Sequence, residues 1–565
     1  MRSRFLTAAL ASLCACFCVC VVAQAREIRE AREVHDVRDA RGPLLLSGEP
    51  LSTADVIEVA RQGRLVAIDP AARDRVARTF EVVLAAARAH LPVYGLTTGV
   101  GWNKDKEALK ASGALDPDLI AASERFNLGT LRAHAAGVGE PLADDVVRAA
   151  MVVRLNLLLT GAGGVQPAVV DQYAAFLNRN IIPIVPDRGS VGEADILQSA
   201  HIGLALAGEW QVRYAGKVLP AAQVLQATGL KPVALVGKDF LAIIGDNSLT
   251  IAQGLLAVHA ARAWLDREIT VFALSLEGLN GNVAPFLEVT VAAHPLPGFA
   301  AVAGRLRSDL AGSDLWNRGE HRPLQDPLSF RTMPIVLGNA WEALEAAESA
   351  LLFAANHSGD NPVVLTDARN LGEQGSQTGF YLVPEVPNAA IVPTANFEAL
   401  PVVAALERVS LALGHASESI TESVLRFENP AITGLPRFLT APENPGHGFG
   451  AIQKAVVSLN SEIRALALPV SLESAVLAGN IEDITSSAPL TARRLSELIE
   501  DLYPLTSLQL LHAAQAVELR KGFHLGTGTR GLLLGYRSRV PFVTQDRILT
   551  EDIATGVHYL RGLPP

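Results

Sequence analysis

The stretch that decides the fold class runs from residue 251 to residue 276 and reads IAQGLLAVHAARAWLDREITVFALSL. Its apolar residues recur at helical spacing along the whole stretch. It is long enough to cross a bilayer, but Arg262, Asp266, Arg267 and Glu268 lie within it, and charged residues are costly at that depth in a membrane. The stretch is therefore predicted to be a core helix that needs neighbours on most sides.

Four further stretches rich in Ala and Leu show the same helical spacing, at residues 338–356, 398–426, 450–468 and 491–520. Helices this apolar are predicted to pack as a bundle and to contact other subunits. Shorter segments rich in Gly and Pro lie between the helices, at residues 91–102, 181–195 and 435–450. The predicted fold class is all-α, with a long central helical bundle.

The composition excludes several classes of function. The chain has 565 residues, of which 49% are hydrophobic and 19% are charged, so it can bury a large core and is not a disordered protein. The net charge is −10, the aromatic content is 5% and no basic block occurs, which argues against binding to nucleic acid. The 13 His residues form no His-x-x-x-His pair, so no metal site is predicted.

The N-terminus is predicted to be an export signal. Arg2 and Arg4 precede an apolar run over residues 5–22, and Ala23-Gln24-Ala25 fits a cleavage site. We therefore expect residues 1–25 to be a signal peptide, the protein to be secreted to the periplasm, and no membrane segment to remain after cleavage. All four Cys residues lie in the apolar run, so the mature chain would have neither a disulfide nor a thiol nucleophile.

The remaining chain is predicted to have four parts. Residues 26–43 alternate in charge and are expected to form a charged, disordered leader, with a docking tail as the alternative. Residues 44–250 are expected to form an N-terminal domain and residues 251–530 the central long-helix domain. Residues 531–565 are expected to form a C-terminal segment.

Polar and Gly-rich blocks follow one another along the chain. The first two are Tyr94-Gly95-Leu96-Thr97-Thr98-Gly99-Val100-Gly101 and His134-Ala135-Ala136-Gly137-Val138-Gly139-Glu140. The later blocks are Gln325-Asp326-Pro327 with Arg331, Ser358-Gly359-Asp360-Asn361-Pro362, Asn396-Phe397, Ser461-Glu462, and Asn480 with Glu482-Asp483. Together the blocks resemble those of the aromatic amino acid ammonia-lyase family, which includes the histidine and phenylalanine ammonia-lyases. The resemblance extends from about residue 50 to about residue 560.

The resemblance implies an aspartase/fumarase-like fold of the ammonia-lyase superfamily. In that fold, long helices from four chains form the central bundle of a homotetramer, and three subunits build each active site. A tetramer agrees with predicted helices that are too apolar for a monomer. The expected partner is a small-molecule substrate.

The segment that forms the catalytic electrophile in the family has a different sequence here. Family members make a methylidene-imidazolone electrophile from Ala-Ser-Gly, in which the Gly nitrogen closes on the Ala carbonyl and the Ser loses its hydroxyl. Here the flanking blocks Gly189-Ser190-Val191-Gly192 and His201-Ile202-Gly203 enclose Glu193-Ala194-Asp195. These three residues offer no hydroxyl to eliminate and no Gly nitrogen to cyclise. The sequence therefore predicts that no cofactor is made at this position.

Other positions that lie near the electrophile in family members also differ from the family pattern here. The family's Tyr in Gln-Asp-Pro-Tyr is Leu328, and the His after Asn-Phe is Glu398. The family Asn that contacts the electrophile falls near Asn247, although in a different register. We expect Asn247, Phe397 and Glu398 to bind substrate and Glu193 and Asp195 to act in catalysis. Ordinary buried ion pairs are the alternative for the carboxylates.

Four residues keep the family's residue types: Tyr94, His134, Arg331 and Glu462. The resemblance makes Tyr94 the base that removes the β-proton, so a neighbouring Arg331 or Lys would have to lower its pKa from about 10. His134, Arg331 and Glu462 would bind the substrate, with Arg331 holding its carboxylate and Glu462 facing its ring. A turn aromatic, a core His and structural ion pairs are the alternatives.

Elimination without an electrophile requires a good leaving group. A trimethylammonium group leaves as neutral trimethylamine, and the new carboxylates would attract the cation. The sequence therefore predicts a carbon–nitrogen lyase that eliminates the amine from an imidazole-bearing α-amino acid or its trimethyl betaine, as in the ergothionase branch of the family, to give a urocanate-type product. A conventional histidine or aromatic amino acid ammonia-lyase and a non-catalytic periplasmic binding homologue are the alternatives.

Overall fold

The structure is a computed structural model that describes residues 42–108, 117–317, 322–369 and 375–564. The predicted signal peptide lies outside the described residues, as does the predicted leader except for its last two positions. The described part is mostly helical, and its strands are only two to four residues long.

The α-helices, in chain order, are α1 (Thr53–Arg61), α2 (Pro70–Arg88), α3 (Pro117–His134), α4 (Asp144–Leu159), α5 (Pro167–Asn178), α6 (Ile196–Leu206), α7 (Ala221–Thr228), α8 (Asp239–Ile244), α9 (Ser248–Leu279), α10 (Glu288–Ala293), α11 (Pro297–Asp309), α12 (Leu328–Arg331), α13 (Met333–Asn356), α14 (Gly375–Thr378), α15 (Leu400–Phe427), α16 (Pro430–Thr433), α17 (Gln453–Leu466), α18 (Ala488–Leu519), α19 (Thr527–Arg537) and α20 (Thr550–Arg561). Short 3-10 helices cover Gly101–Asn103, Ala284–Phe286, Asp314–Trp316, Gly379–Tyr381, Arg437–Leu439 and Ala478–Asn480.

The short strands pair in small sheets. The strands are β1 (Leu44–Leu46), β2 (Val66–Ile68), β3 (Val138–Pro141), β4 (Ile182–Pro183), β5 (Pro186–Arg188), β6 (Gln211–Tyr214), β7 (Lys217–Pro220), β8 (Val363–Leu365) and β9 (Ala390–Val392). β1 and β2 are parallel, β3 pairs antiparallel with β5, β4, β6 and β7 form a three-stranded antiparallel sheet, and β8 pairs antiparallel with β9.

The chain divides into two compact units. The first contains the described residues up to Ala252 together with Ala354–Glu398 and Ala475–Thr485, and the second contains Gln253–Phe353, Ala399–Ser474 and the chain from Ser486. The two later segments of the first unit lie inside the predicted central domain. The first of them returns through β8, where the Val364 N–H donates to the Ala162 carbonyl at 2.9 Å. The second contacts the 3-10 helix Gly101–Asn103 through its own 3-10 helix Ala478–Asn480.

Most of each long helix that the sequence predicts lies in the second unit. The five predicted stretches coincide with α9, α13, α15, α17 and α18, with ends shifted by a few residues. Helix α15 packs along α18, and α18 also contacts α17 and α20. Small residues allow close approach, since a Cβ atom on Gly278 of α9 would lie 3.0 Å from the Cβ of Ala516 in α18. The buried Trp264 donates from Nε1 to Thr506 Oγ1 at 3.0 Å across the same pair of helices.

One helical stretch in the described part of the chain, Asp239–Leu279, could cross a membrane by its length and composition alone. It comprises α8 and α9. Within it, 89% of the most apolar window is buried in the protein. That burial is typical of the core helix that the charges at residues 262–268 predict.

Candidate active site

Tyr94 lies in a tight loop of the first unit, at the candidate active site. Gly95 has a φ of +69°, and a Cβ atom there would collide with the side chain of Leu241 in α8, so this position requires glycine. The loop then returns, and the Gly101 N–H donates to the Tyr94 hydroxyl oxygen at 2.8 Å. This hydrogen bond fixes the phenol and favours its ionised form.

Glu482 is a site residue that the sequence analysis missed. The Tyr loop packs on the 3-10 helix Ala478–Asn480, where the Trp102 ring contacts Gly479, and a Cβ atom on Gly101 would lie 3.7 Å from Glu482 Oε1. Burial raises the pKa of Tyr94, the Gly101 N–H opposes the rise, and the Glu482 carboxylate adds to it. The expected lowering of the Tyr94 pKa by Arg331 or a Lys is therefore wrong for the described chain. Glu482 was part of a family block, but only the folded loop shows that it acts on Tyr94.

Removing the Glu482 charge should shift the pH dependence of activity. In Glu482→Gln the Tyr94 pKa loses one of the contributions that raise it, so we expect the acid limb of the kcat/KM profile to move to lower pH. Profiles of the wild-type and variant enzymes check this. A shift to higher pH would show that Glu482 does not act on the catalytic base.

The segment Glu193–Ala194–Asp195 forms the bend that precedes α6. Ala194 is 4% exposed and has a φ of +69°, in the left-handed region that favours Gly. The Asp195 N–H donates to the Asp246 carbonyl at 2.7 Å, so the nitrogen at the third position is engaged in the fold. The side chains of the bend are a carboxylate, a methyl group and a second carboxylate. These residues do not fit a methylidene-imidazolone, which needs a Ser hydroxyl and a Gly nitrogen.

Asp195 caps a helix, and its predicted catalytic role stays a prediction. Its side chain is fully buried and accepts hydrogen bonds from Thr250 N at 2.8 Å and Thr250 Oγ1 at 2.7 Å, in the first turn of α9. Carboxylates are favourable at helix N-termini, where backbone N–H groups have no partner within the helix. Burial is the largest effect on Asp195 and raises its pKa to about 7, although the Thr250 bonds oppose the rise.

Asp195→Asn should make stability less dependent on pH. Because the folded-state pKa of Asp195 lies above its unfolded value, the native state keeps a proton on Asp195 at pH values where the unfolded chain has lost it. The free energy of unfolding of the wild-type protein therefore falls as pH rises toward about 7, because the buried carboxyl group becomes charged. Relative to wild type, the free energy of unfolding of the Asn variant should rise by about 2 kcal/mol between pH 5 and pH 8. Urea unfolding at both pH values measures this. A difference that is constant with pH would contradict the assignment.

Asn247, Phe397 and Glu398 lie together beside the bend. Asn247 Nδ2 donates to the Phe397 carbonyl at 2.6 Å, and Glu398 lies opposite Glu193 in an isolated antiparallel bridge. Glu398 is exposed, whereas Asn247 is buried. The structure thus joins Glu193, Asn247, Phe397 and Glu398, which the sequence analysis selected from three separate segments.

A buried charge network holds the turn between α8 and α9. Arg154 of α4 forms ion pairs with Asp246 and with Asp360, the latter at 2.7 Å. Burial lowers the pKa of Lys238 to about 8, and its Nζ donates to the Gly163 carbonyl at 2.6 Å. The block Ser358–Pro362 therefore has a structural role here, because its Asp360 anchors the arginine that holds Asp246.

His134 ends α3 and is half-buried. Its Nδ1 is 2.7 Å from the Thr130 carbonyl, so in a neutral ring Nδ1 carries the proton and Nε2 is an acceptor. Strand β3, just after His134, pairs with β5, with Val138 opposite Arg188. Since β5 leads directly into the residue 189–195 segment, this pairing holds the end of α3 beside the segment that contains the bend.

Arg331 and Glu462 belong to the second unit. Arg331 ends α12 and donates from Nη1 to Gln325 Oε1, within its own family block. Glu462 is exposed on α17, where Ser458 Oγ lies 3.4 Å from its Oε1. Both contacts are with neutral side chains, whereas the structural alternative for each residue was an ion pair, and the predicted substrate contacts stay predictions.

Over residues 42–108, 117–317, 322–369 and 375–564, no group of three or more His, Cys, Asp or Glu side chains is arranged to hold a metal ion. The tripeptide Ala-Ser-Gly does occur in the chain, at Ala111-Ser112-Gly113. They follow the Tyr loop rather than the Gly189–Gly192 block, and they lie outside the described residues.

Comparison with known proteins identifies the family. The family model for aromatic amino acid lyases matches residues 51–538. The histidine ammonia-lyase of Sorangium cellulosum is 35% identical over 524 residues, which are 92% of this chain and 97% of that protein. Membership confirms the predicted all-α, aspartase/fumarase-like fold class, and homotetramers are typical of the family.

Two solved structures have a fold similar to that of this chain. The ergothionase of Treponema denticola, in complex with desmethyl-ergothioneine sulfonic acid, has a TM-score of 0.84 and 34% identity and covers 92% of this chain and 98% of its own. The tyrosine aminomutase of Streptomyces globisporus has a TM-score of 0.81 and 27% identity and covers 92% and 96%. The similarity therefore extends over nearly the whole length of both chains.

Proposed function

Because this chain belongs to the aromatic amino acid lyase family and is a carbon–nitrogen lyase, we propose that it eliminates trimethylamine from an imidazole-bearing amino acid betaine. The reaction needs no methylidene-imidazolone. Its organic product is a urocanate-type conjugated acid. Histidine ammonia-lyases among the relatives and an ergothionase among the similar structures support an imidazole substrate.

The observation that carries this proposal is the bend at Glu193–Ala194–Asp195. A primary ammonium group leaves poorly, and the residues of the bend cannot activate it covalently, since they provide neither the hydroxyl nor the nitrogen of the electrophile. A trimethylammonium group needs no such activation, because it already carries a permanent charge and departs as a neutral amine. The carboxylate of Glu193 at the bend, with Glu398 opposite, suits a cation in this place.

Proton removal falls to Tyr94. Its phenolate oxygen takes the β-proton, the electrons of that C–H bond form the new Cα=Cβ double bond, and the Cα–N bond breaks with its electron pair on trimethylamine. The Gly101 N–H stabilises the phenolate that must form. Within this proposal His134, Arg331 and Glu462 bind the imidazole and carboxylate ends of the substrate.

We also propose that the protein acts in the periplasm. Arg2 and Arg4, the apolar run that follows them and Ala23-Gln24-Ala25 have the order of a secretory signal peptide. Export would also fit a chain whose Cys residues all precede the proposed cleavage site. After cleavage at that site the mature chain would begin at Arg26.

Incubation with trimethylated histidine tests the proposal. Free trimethylamine and the ultraviolet absorbance of a urocanate-type acid should appear in equal amounts. Ammonia release from free histidine at a comparable rate would instead favour a conventional ammonia-lyase, the reaction named for the Sorangium cellulosum relative. Tight binding of both compounds with no product would favour a non-catalytic binding protein.

A further inference from the structure

The ring of Trp102 lies flat against the backbone of Gly479. A Cβ atom added to Gly479 would lie 2.3 Å from Cδ2, 2.6 Å from Cε2 and 2.7 Å from Cε3 of that ring. Because Cδ2 is bonded to both of the other atoms, the added atom would sit above the face of the indole and not at its edge. Only glycine therefore allows the ring to rest here. Trp102 is 74% exposed, so the contact leaves most of the ring outside the hydrophobic core.

The turn under the ring has an unusual backbone. Ala478, Gly479 and Asn480 have φ values of +45°, +63° and +71°, in the left-handed region that side chains disfavour. The Leu477 N–H donates to the Glu482 carbonyl at 2.7 Å and closes the turn. Backbone strain of this kind persists only where the surrounding structure enforces it, and it is concentrated at functional sites. The strained turn presents the bare backbone of Gly479 to the indole.

Trp102 directly follows the residue that bonds to the proposed base. The Gly101 N–H donates to the Tyr94 hydroxyl oxygen at 2.8 Å. Gly101 and Trp102 lie in one 3-10 helix, which ends where the Lys104 N–H donates to the Gly101 carbonyl at 3.0 Å. Gly101 also packs on the same turn, since a Cβ atom there would lie 3.8 Å from the Cβ of Ala478. Holding the ring on the turn therefore also holds the direction of the Gly101 N–H.

We propose that Trp102 is a positioning residue for proton removal, because its ring, resting on Gly479, anchors the Tyr loop and so aims the Gly101 N–H at the phenol of the base. This inference rests on the proposed function in taking Tyr94 as the base, and it goes beyond that function by assigning a residue that acts through Gly101. A base must stay within hydrogen-bond reach of the proton that it removes. A displacement of about 1 Å can slow a reaction about a hundredfold, so loss of the anchor should slow the chemical step and leave substrate binding largely intact.

Two substitutions remove this contact from opposite sides. Trp102→Ala deletes the ring, and Gly479→Ala puts a Cβ atom where the ring lies. On trimethylated histidine, each should lower kcat by about tenfold or more and change KM little. The double variant should lose about as much as either single variant, and not the product of the two losses, because both changes break the same contact. Trp102→Phe keeps an aromatic ring on Gly479 and should restore most of the lost kcat.

Gly63→Ala is the matched control for Gly479→Ala. Gly63 has a φ of +72°, so an alanine there meets similar backbone strain, but its Cβ atom would meet no packed group within 4 Å. This variant should keep the wild-type kcat. Amide hydrogen exchange of the purified protein without substrate tests the anchor independently of turnover. Peptides that cover residues 94–104 should exchange about tenfold faster or more in Trp102→Ala and Gly479→Ala, and at the wild-type rate in Gly63→Ala.

The outcomes separate the anchor from the proposed function. Unchanged exchange in Trp102→Ala and Gly479→Ala, faster exchange with a normal kcat, or additive losses in the double variant would each overturn the positioning role and leave the function standing. Release of ammonia from free histidine without any trimethylamine would refute the proposed function. The same comparison of kcat values on histidine would then test the anchor, since Tyr94 would be the base in that reaction also. A wild-type protein that turns over neither compound would refute both proposals.

Discussion

Trimethylated histidine is expected to be eliminated at least about a hundredfold faster than free histidine, phenylalanine or tyrosine, a difference of about 2.7 kcal/mol in activation free energy. Free histidine must release its amine as ammonia, and no group at Glu193–Asp195 can activate that amine covalently. The trimethylammonium group departs as a neutral amine without activation.

A competition assay between free histidine and its trimethyl betaine measures this ratio directly. Both substrates are present in one reaction, and trimethylamine and ammonia are quantified from the same sample. The ratio of products then equals the ratio of kcat/KM values weighted by concentration. Equal rates, or a preference for the free amino acid, would refute the betaine assignment and leave the lyase family untouched.

Tyr94→Phe should lower kcat by about 10²-fold or more and change KM little. The substitution keeps the ring in its loop and removes the only atom of Tyr94 that can take a proton. It also removes the acceptor of the Gly101 N–H, so the loop must be shown to keep its shape. Steady-state kinetics on trimethylated histidine, with circular dichroism and thermal unfolding of both proteins, provide the measurement.

Tyr381→Phe is the matched control for this variant. Tyr381 is 41% exposed, and its substitution should leave both kinetic constants unchanged. Normal turnover by Tyr94→Phe would assign proton removal to another group. A large rise in KM with kcat preserved would make Tyr94 a binding residue instead.

The long helices could be predicted from the sequence because their cause is local. The spacing of apolar residues over 251–276 predicts a core helix, and α9 covers it with only a few more residues at each end. The predicted stretch 398–426 likewise coincides with α15, which begins at Leu400 and ends at Phe427. The segments Ala354–Glu398 and Ala475–Thr485 fold with the first unit, which periodicity could not predict, because the pairing that returns them depends on backbone contacts with remote residues.

The site could be predicted in part. The family blocks selected Glu193, Asn247, Phe397 and Glu398, and the structure places these residues together. The capping role of Asp195 could not be predicted, because its partner Thr250 is distant in the sequence and belongs to another helix. Glu482 was missed for the same reason, since its effect on Tyr94 exists only once the Tyr loop rests on the Ala478–Asn480 turn.

The intact mass of the purified protein tests most directly whether this lyase works without the family's electrophile. The measurement covers the whole mature chain, and so it also detects an electrophile made from the tripeptide Ala111-Ser112-Gly113, which lies outside the described residues. We expect the mass of the unmodified mature chain, with no near-ultraviolet absorbance of a methylidene-imidazolone and no loss of activity after borohydride treatment. A mass lower by two waters, accompanied by that absorbance, would contradict the electrophile-free mechanism and restore a conventional ammonia-lyase.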